Sequence, residues 1–397
     1  MKILVLNCGS SSIKYKLFDM DRNLVMAQGG IEKIGLPGSF LKLTAPNGEK
    51  VILEESIPEH TKGIEFIIYQ LTQGKYACIS SLKDVDAVGH RVVHGGEKFN
   101  QSTLITKEVL DNIIACNDLA PLHNPANLLG INAVAKIAPE MPQVAVFDTA
   151  FHQTMPAKAY MYGIPYEYYE KYAVRRYGFH GTSHRYVSKR ACDILGLDYN
   201  KTRIITAHIG NGGSIAAVMN GKCIDTTMGL TPLEGLLMGT RSGDIDAGAV
   251  LFMMDKEGWS TREASNVLNK KSGILGVSGV SSDMRELTQA VNAGNEKAKL
   301  AMEMYHYRIK KYIGAYAAAM GGVDLLVFTG GVGENQAIAR LDVCSDMQYM
   351  GMSINAEIND KIHGEEAVIS TPDSKVTIMV VPTDEEWMIA SDTAALL

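Results

Sequence analysis

Two turns, a glycine pair, several loop-bound arginines and histidines, and carboxylates at strand ends are the parts of this chain equipped for chemistry. "NCGSSSIKYKLF" (residues 7–18) sets Ser10, Ser11 and Ser12 in a turn straight after an apolar run. "HIGNGGS" (208–214) repeats the arrangement with glycines. Backbone N–H groups in such a bend, helped by hydroxyls, form a concavity suited to an anion; a merely polar hairpin turn would read the same way. Two such tips facing each other would grip a polyphosphate from two sides. "VFTGGVGEN" (327–335) sends a buried strand into a glycine pair and a helix start, where backbone can approach a flat or charged ligand closely. An ordinary strand-to-helix turn is the alternative there. In "SSDMRE" (281–286), Asp283 and Arg285 could simply be a solvated helix start. No G-x-x-x-x-G-K-[ST] run exists, and GVGENQ lacks the last glycine of a dinucleotide fingerprint. A P-loop and an NAD site are thereby disfavoured.

Arg91 lies in a run of strand residues, "GHRVVHGG", and Arg241 in a glycine-rich loop, "GTRSGDID". An arginine in either setting is costly to bury without an anion. His123 sits in a proline-framed loop, "APLHNP", and "YGFHGTSH" carries His180 and His184 at i, i+4 spacing. That spacing raises zinc, but the glutamate of H-E-x-x-H is missing and Gly181 weakens a helix. Asp148 closes the apolar run "VAVFD", a position used for metal or nucleophile chemistry in α/β folds. In "VPTDEEW", Thr383 and Glu386 have capping-box spacing, which leaves Glu385 as the functional carboxylate.

The elements that must hold these residues follow from periodicity. The chain has 397 residues, 46% hydrophobic and 21% charged, a globular composition long enough for two domains. A net charge of −6 gives no footprint for nucleic acid or an anionic membrane. No apolar stretch is long enough to span a bilayer, and MKILVL reads as a core strand rather than a signal peptide. The six scattered cysteines offer no C-x-x-C pair, which argues against disulfides and a cysteine zinc site and fits a reducing cytoplasm. Strands are expected at 2–7, 13–18 and from Leu24, then again across 203–225, where Asn220-Gly221 signals a hairpin. Asn7 and Asn211 take comparable places in the two units, 204 residues apart (211 − 7), which implies a duplicated core. Residues 86–93 and 142–148 read as buried strands, and 124–138 as a helix capped by Asn124 with Pro125 in its first turn. Residues 296–320 read as an amphipathic helix with Met302, Tyr305, Ile309, Tyr312 and Tyr316 on one face, stopped by Gly321-Gly322 before a strand. The boundary between halves is expected just after Asp148, and the end of the chain reads as a helix.

Together these stretches resemble the acetate kinase family, within the acetate- and sugar-kinase/actin superfamily. The likeness involves LNCGSSSIKY, GHRVVHGG, PLHNP, VFDTAFH, YGFHGTSH, HIGNGGS, TPLEGLLMGTRSGD, SSDMRE, FTGGVGEN and PTDEE, in order from Asn7 to Glu386. It implies an α/β fold of two actin-like (ribonuclease H-like) domains from a duplicated core, with a ligand cleft between them. The first would span 1–150 plus a C-terminal helix 384–397; the second, nucleotide-binding, would span 151–383. The implied activity is reversible transfer of the ATP γ-phosphoryl group to acetate, giving acetyl phosphate and ADP, in a cytoplasmic homodimer that requires magnesium, with manganese able to substitute.

By the same resemblance Asn7 and Glu385 would serve the metal, and Asp148 would be an essential acid. Arg91 would hold the substrate carboxylate, with Arg241 and His180 stabilising the phosphoryl group in flight and His123 lining the site. Ser10, Ser12, Lys14 and the stretch His208, Ile209, Gly210, Asn211 and Gly212 would serve the phosphates. Asp283, Met284 and Arg285, with Gly331, Val332, Gly333, Glu334 and Asn335, would take the adenosine. Val93, Leu122, Phe179 and Pro232 would form the pocket for the acyl methyl. A carboxylate acceptor is already deprotonated at neutral pH, so no general base is needed. Propionate and butyrate kinases are the nearest rivals, the bulk of Val93 favouring acetate; an actin-like ATPase without an acyl substrate is the rival from another class.

Overall fold

The computed structural model describes residues 1–44 and 48–397. Contacts within the chain group it into two units, Met1–Gln153 with Asp384–Leu397, and Thr154–Thr383.

The first unit holds an eight-stranded sheet: β1 (Lys2–Cys8), β2 (Ser12–Asp19), β3 (Leu24–Glu32), β4 (Phe40–Thr44), β5 (Lys50–Glu54), β6 (Ala87–Val92), β7 (Thr103–Leu104) and β8 (Gln143–Phe147). Their order is β5-β4-β3-β2-β1-β6-β8-β7. β1 runs antiparallel to β2 and parallel to β6, which runs parallel to β8. Alternation along β1 divides its side chains between two faces. Leu4 and Leu6 join the core under helices His60–Thr72 and Asn124–Ile137, while Ile3 and Val5 meet Ile389 and Ala390 of the helix Glu385–Ala395. That last helix lies directly on β6, since a Cβ at Gly89 would fall 2.7 Å from Ile389 Cγ2.

The second unit repeats the plan with β9 (Arg203–Ile209), β10 (Gly213–Met219), β11 (Lys222–Thr226), β12 (Leu325–Thr329), β13 (Ala367–Val368) and β14 (Thr377–Val380). The order β11-β10-β9-β12-β14-β13 again sets a three-strand meander beside two parallel strands. The duplicated actin-like core is therefore present as topology. Its offset is not 204, however: β1 and β9 start at Lys2 and Arg203 and end at Cys8 and Ile209, so both ends differ by 201 (203 − 2 and 209 − 8). Asn7 thus corresponds to His208, inside the strand, and Asn211 belongs to the turn beyond it. The serine turn and the glycine turn differ in composition, so the asparagines aligned on residue type and not on register.

The helix Glu296–Met320 buries Tyr305, Ile309, Ile313 and Tyr316 against Ile205, Ala207 and Phe328, with Met302 and Tyr312 partly buried beside them. Gly321, at φ +69°, ends it. On the other face of that sheet the alternate residues Thr206, His208 and Ser214 bond to the helix Gly181–Leu195 and the residue that precedes it. All six cysteines are free thiols. No described helix is long and apolar enough to cross a membrane.

Two expected caps are corrected. The helix Asn124–Ile137 is preceded by His123, and Asn124 is buried inside it, its Oδ1 accepting from His94 N–H at 3.0 Å. The amide is drawn inward to pin the loop after β6. At the C-terminal helix the cap is Asp384, which accepts from Trp387 N–H; Glu386 instead faces Lys16 at 3.3 Å, and the Thr383 hydroxyl bonds Ser183.

Arg340 is fully buried and has no carboxylate among its bonded partners. It donates to Asn359 Oδ1 and to the carbonyls of Gly333, Glu334, Asn359 and Ile362 at 2.7–3.0 Å, and burial pulls its pKa to about 10. Arg340→Met would strand these buried acceptors. Each buried acceptor left without a donor costs about 1–3 kcal/mol, so the expected loss is about 3 kcal/mol or more of unfolding free energy, read from the urea midpoint. A loss under about 1 kcal/mol would mean the carbonyls find other donors.

Candidate active site

In the first unit the residues converge where β1, β6 and β8 end. Asn7 pairs with Lys14 across β1 and β2 and is half-buried. The turn beyond it is shaped by its own backbone: Gly9 N–H donates to Ser12 O, Ile34 N–H to Ser11 O, and Gly9 O meets His60 Nε2 at 2.7 Å. Ser10 is exposed and Ser12 half-buried. Asn127, a residue with no sequence signal of its own, joins the two strand ends. Its Nδ2 donates to Cys8 O at 2.8 Å and its Oδ1 accepts from Val93 N–H at 3.0 Å.

Arg91 and Asp148 form a bidentate pair, Nε to Oδ1 at 3.0 Å and Nη2 to Oδ2 at 2.6 Å. Asp148 is 1% exposed, and its charge is the main cause that raises the Arg91 pKa. Two of the five guanidinium N–H groups are thus engaged and three remain for a ligand. Glu385 opens the C-terminal helix, and burial pushes its pKa up to about 7; Asp148 and Glu386 add to the rise, while Arg91 and Lys14 oppose it. Arg91, Asp148 and Glu385 therefore form one coupled charge cluster. Val93 is buried beside it in sequence, His123 is half-buried, and the Leu122 side chain is exposed.

Oxygen donors from two carboxylates and an amide suit a hard divalent cation. Magnesium typically takes one or two carboxylates and completes its shell with water and phosphate. A cation would also stabilise the charged form of a carboxylate that burial disfavours. Asp148, Glu385 and Asn7 fit such an ion on that chemistry.

In the second unit a cavity of about 550 Å³ lies at the ends of β9 and β12, a size typical of small-molecule sites. Gly210, Asn211, Asp283, Met284, Arg285, Gly331, Val332 and Asn335 line it, which brings three of the sequence motifs together. Gly239, Ile274, Ser282, Tyr305 and Gln336 complete the lining; Gly239 and Ser282 belong to the quoted stretches GTRSGDID and SSDMRE and Gln336 follows Asn335, while Ile274 and Tyr305 come from segments with no motif signal. Gly330 takes φ +76°, and a Cβ there would lie 2.8 Å from Ile209 O. Only glycine lets the two strand ends meet so closely.

Not every expected residue faces the cavity. Ile209 and Gly333 are buried. The Glu334 carboxylate is taken by the N–H groups of Gly330 at 2.9 Å and Thr383 at 3.1 Å and by the Thr329 hydroxyl. It shapes the turn from behind. Arg285 pairs with Asp283 at 2.7 Å, and that bond lowers the Asp283 pKa to about 2 while the same carboxylate caps the helix Met284–Asn292.

His180 has φ +57°, strained for a residue other than glycine, and precedes the helix Gly181–Leu195. Its ring stacks on His208 at 4.3 Å, and its Nδ1 meets Ser214 Oγ at 2.8 Å. Phe179 is buried next to it in sequence. Arg241 lies against the glycine turn, its Nη1 3.5 Å from where a Gly212 Cβ would stand. It donates to Pro232 O at 3.0 Å and approaches Met238 Sδ, and burial lowers its pKa.

A family model described as the Acetokinase family matches residues 2–391. The acetate kinase of Phocaeicola vulgatus is 72% identical over the full length of both chains. The crystal structure of Porphyromonas gingivalis acetate kinase is 64% identical with a TM-score of 0.97, covering 100% of this chain and 99% of that one. A propionate kinase from Francisella tularensis is 44% identical with a TM-score of 0.93 over all of both chains.

A Cβ at Gly239 would fall on the side-chain oxygen of Asn211. Gly239→Ala should therefore push Asn211 into the cavity and weaken binding of an adenine nucleotide about tenfold, roughly 1.4 kcal/mol. Titration calorimetry with ADP checks this, and unchanged affinity would remove Asn211 from the binding surface.

Proposed function

Because the chain belongs to the acetokinase family, we infer that it transfers the γ-phosphoryl group of ATP reversibly to acetate, giving acetyl phosphate and ADP. It is a phosphotransferase with a carboxyl group as acceptor, ATP-dependent and in need of a divalent metal. Our reading of the residues goes further. The metal is magnesium, held by Asn7, Glu385 and Asp148, and it supplies charge neutralisation and orientation for the phosphates. The cavity of the second unit takes the adenosine, with the turn at 210–212 next to the phosphates. Arg91 uses its remaining N–H groups to hold the acetate carboxylate, and the apolar residues assigned to the acyl methyl are Val93 and Leu122 of the first unit and Phe179 and Pro232 of the second. Ser10, Ser12 and Lys14 meet phosphate oxygens, and His123 and His180 line the path of the transferred group.

The observation that carries this reading is Arg241. A half-buried guanidinium bonded only to a carbonyl and a thioether, among the described residues, lacks the anion that its burial calls for. A phosphoryl group in flight is that anion. Phosphoryl transfer asks a protein mainly for position and charge neutralisation, and an arginine aimed at the transition state contributes about 10³–10⁵ in rate. The acetate carboxylate attacks phosphorus directly, the bond to the ADP oxygen breaks in line, and no proton has to move.

The reading extends to a homodimer in the cytoplasm. The helix Ala247–Glu257 reads AGAVLFMMDKE yet buries no residue in the single chain, and Leu251 and Phe252 are 66% and 62% exposed. A second copy would remove that apolar surface from water.

Arg241→Ala should lower kcat by about 10³ or more with a much smaller change in nucleotide KM; full turnover would remove Arg241 from the mechanism. Trapping acyl phosphate with hydroxylamine should give product with acetate and none without it, and ATP hydrolysis indifferent to acetate would point to an ATPase. One methylene in an apolar pocket is worth about 1–3 kcal/mol, so kcat/KM should favour acetate over propionate by roughly 10-fold or more. The reverse preference would overturn the assignment of Val93. Replacing both Leu251 and Phe252 by Asp should shift the mass in light scattering from dimer to monomer, and an unchanged mass would exclude this helix from the interface.

A further inference from the structure

We propose that Ser214, backed by His184 and Thr206, is a positioning residue that fixes the protonated nitrogen of His180. This rests on the reading of His180 as a residue that serves the transferred phosphoryl group. The geometry is a chain of hydrogen bonds wholly inside the second unit. His180 Nδ1 meets Ser214 Oγ at 2.8 Å, Ser214 Oγ meets His184 Nε2 at 2.8 Å, and His184 Nδ1 meets Thr206 Oγ1 at 2.7 Å. Ser214, His184 and Thr206 have no exposed surface.

A hydroxyl carries one proton, so Ser214 can donate to only one of the two rings, and the other ring must present an N–H to it. The two imidazoles therefore cannot choose their tautomers independently. When Ser214 donates to His180 Nδ1, it accepts from His184 Nε2–H, and His184 Nδ1 in turn accepts from the Thr206 hydroxyl. That order puts the proton of neutral His180 on Nε2, where it can be donated to an anionic phosphoryl oxygen. The opposite order reverses every bond and leaves Nε2 of neutral His180 as a lone pair, which such an oxygen would repel.

The backbone supports the same role. The His180 φ of +57° and its ring stacked on His208 fix where the imidazole lies. His208 Nδ1 is held in parallel by Ser183 Oγ at 2.8 Å, and Ser183 by the Thr383 hydroxyl at 2.8 Å. Side chains from β9, β10 and the helix Gly181–Leu195 thus orient two stacked rings through serine hydroxyls. What the hydroxyl of Ser214 adds to the ring's location is the choice of nitrogen.

The test is a double-mutant cycle on the full chain with Ser214→Ala, His180→Ala and both together. Ser214→Ala alone should lower kcat on the order of 10- to 100-fold, the scale of a misplaced catalytic group, with KM for ATP and acetate within about threefold of the parent. In the His180→Ala background the same change should have less than a twofold further effect, because a residue that acts through His180 has nothing left to act on. Thr206→Val, two links away, should show the same pattern at smaller size and serves if Ser214→Ala fails to fold. Losses that multiply across the cycle, or a single variant within twofold of the parent rate, would overturn the proposal. A His180→Ala enzyme near the parent rate would instead overturn the reading of His180, and the proposal with it.

Discussion

Two strand ends meet in the second unit where no side chain could stand, and its chemistry depends on that contact. Gly330 brings the end of β12 against the backbone of Ile209 at the end of β9, with φ +76° and no room for a Cβ. The contact holds the 210–212 turn beside the start of the helix Gly330–Asn335, so backbone from both segments borders one cavity. Parallel strands with their ligand site at the carboxyl ends make this arrangement general for α/β folds. Here the glycines do by absence what side chains do elsewhere.

Glycine turns are entropically loose, and the structure holds them with buried polar groups. Arg340 binds the carbonyls at the end of the Gly330–Asn335 helix, and Glu334 accepts from the Gly330 N–H and the Thr329 hydroxyl at its start. In the first unit Asn124 and Asn127 do the same work for the loop after β6 and for the end of β1. Each of these groups is satisfied mainly by backbone, which makes its loss costly and its effect local. Arg241 differs, with only a carbonyl and a sulfur as partners among the described residues.

The elements were legible wherever side-chain period decided them. Alternation marks β1 and β2, and the apolar face of Glu296–Met320 marks that helix to its ends, because burial on one side is a property of sequence spacing. Fold and family were legible through motifs in order. Caps were not: Asn124 is a good cap by type, but the tertiary demand for an inward amide outweighed a local bond of about 1 kcal/mol. Asp384 displaced Thr383 because Thr383 is held from the other side by Glu334 and Ser183. The duplication was legible but misaligned by three residues, since residue type rather than strand register was matched. Tyr305 could not have been read as a cavity residue, because nothing near it in sequence says which loop its helix face will meet.

The two units arrange their charged groups differently, and the proposed reaction gives each arrangement a use. A carboxylate nucleophile needs a cation to hold it and a second to offset its approach to phosphate. The first unit pairs Arg91 with Asp148 and sets Glu385 nearby, so the carboxylates outnumber the guanidinium and their charge favours a further cation. The second holds Arg241 with no acid bonded to it among the described residues. Pairing offsets the Arg91 charge, and Asp148 itself adds to the rise in the Glu385 pKa that Arg91 opposes. Oxygen ligands belong with the cation that must be retained, and an unpaired guanidinium belongs with the charge that exists only in passing.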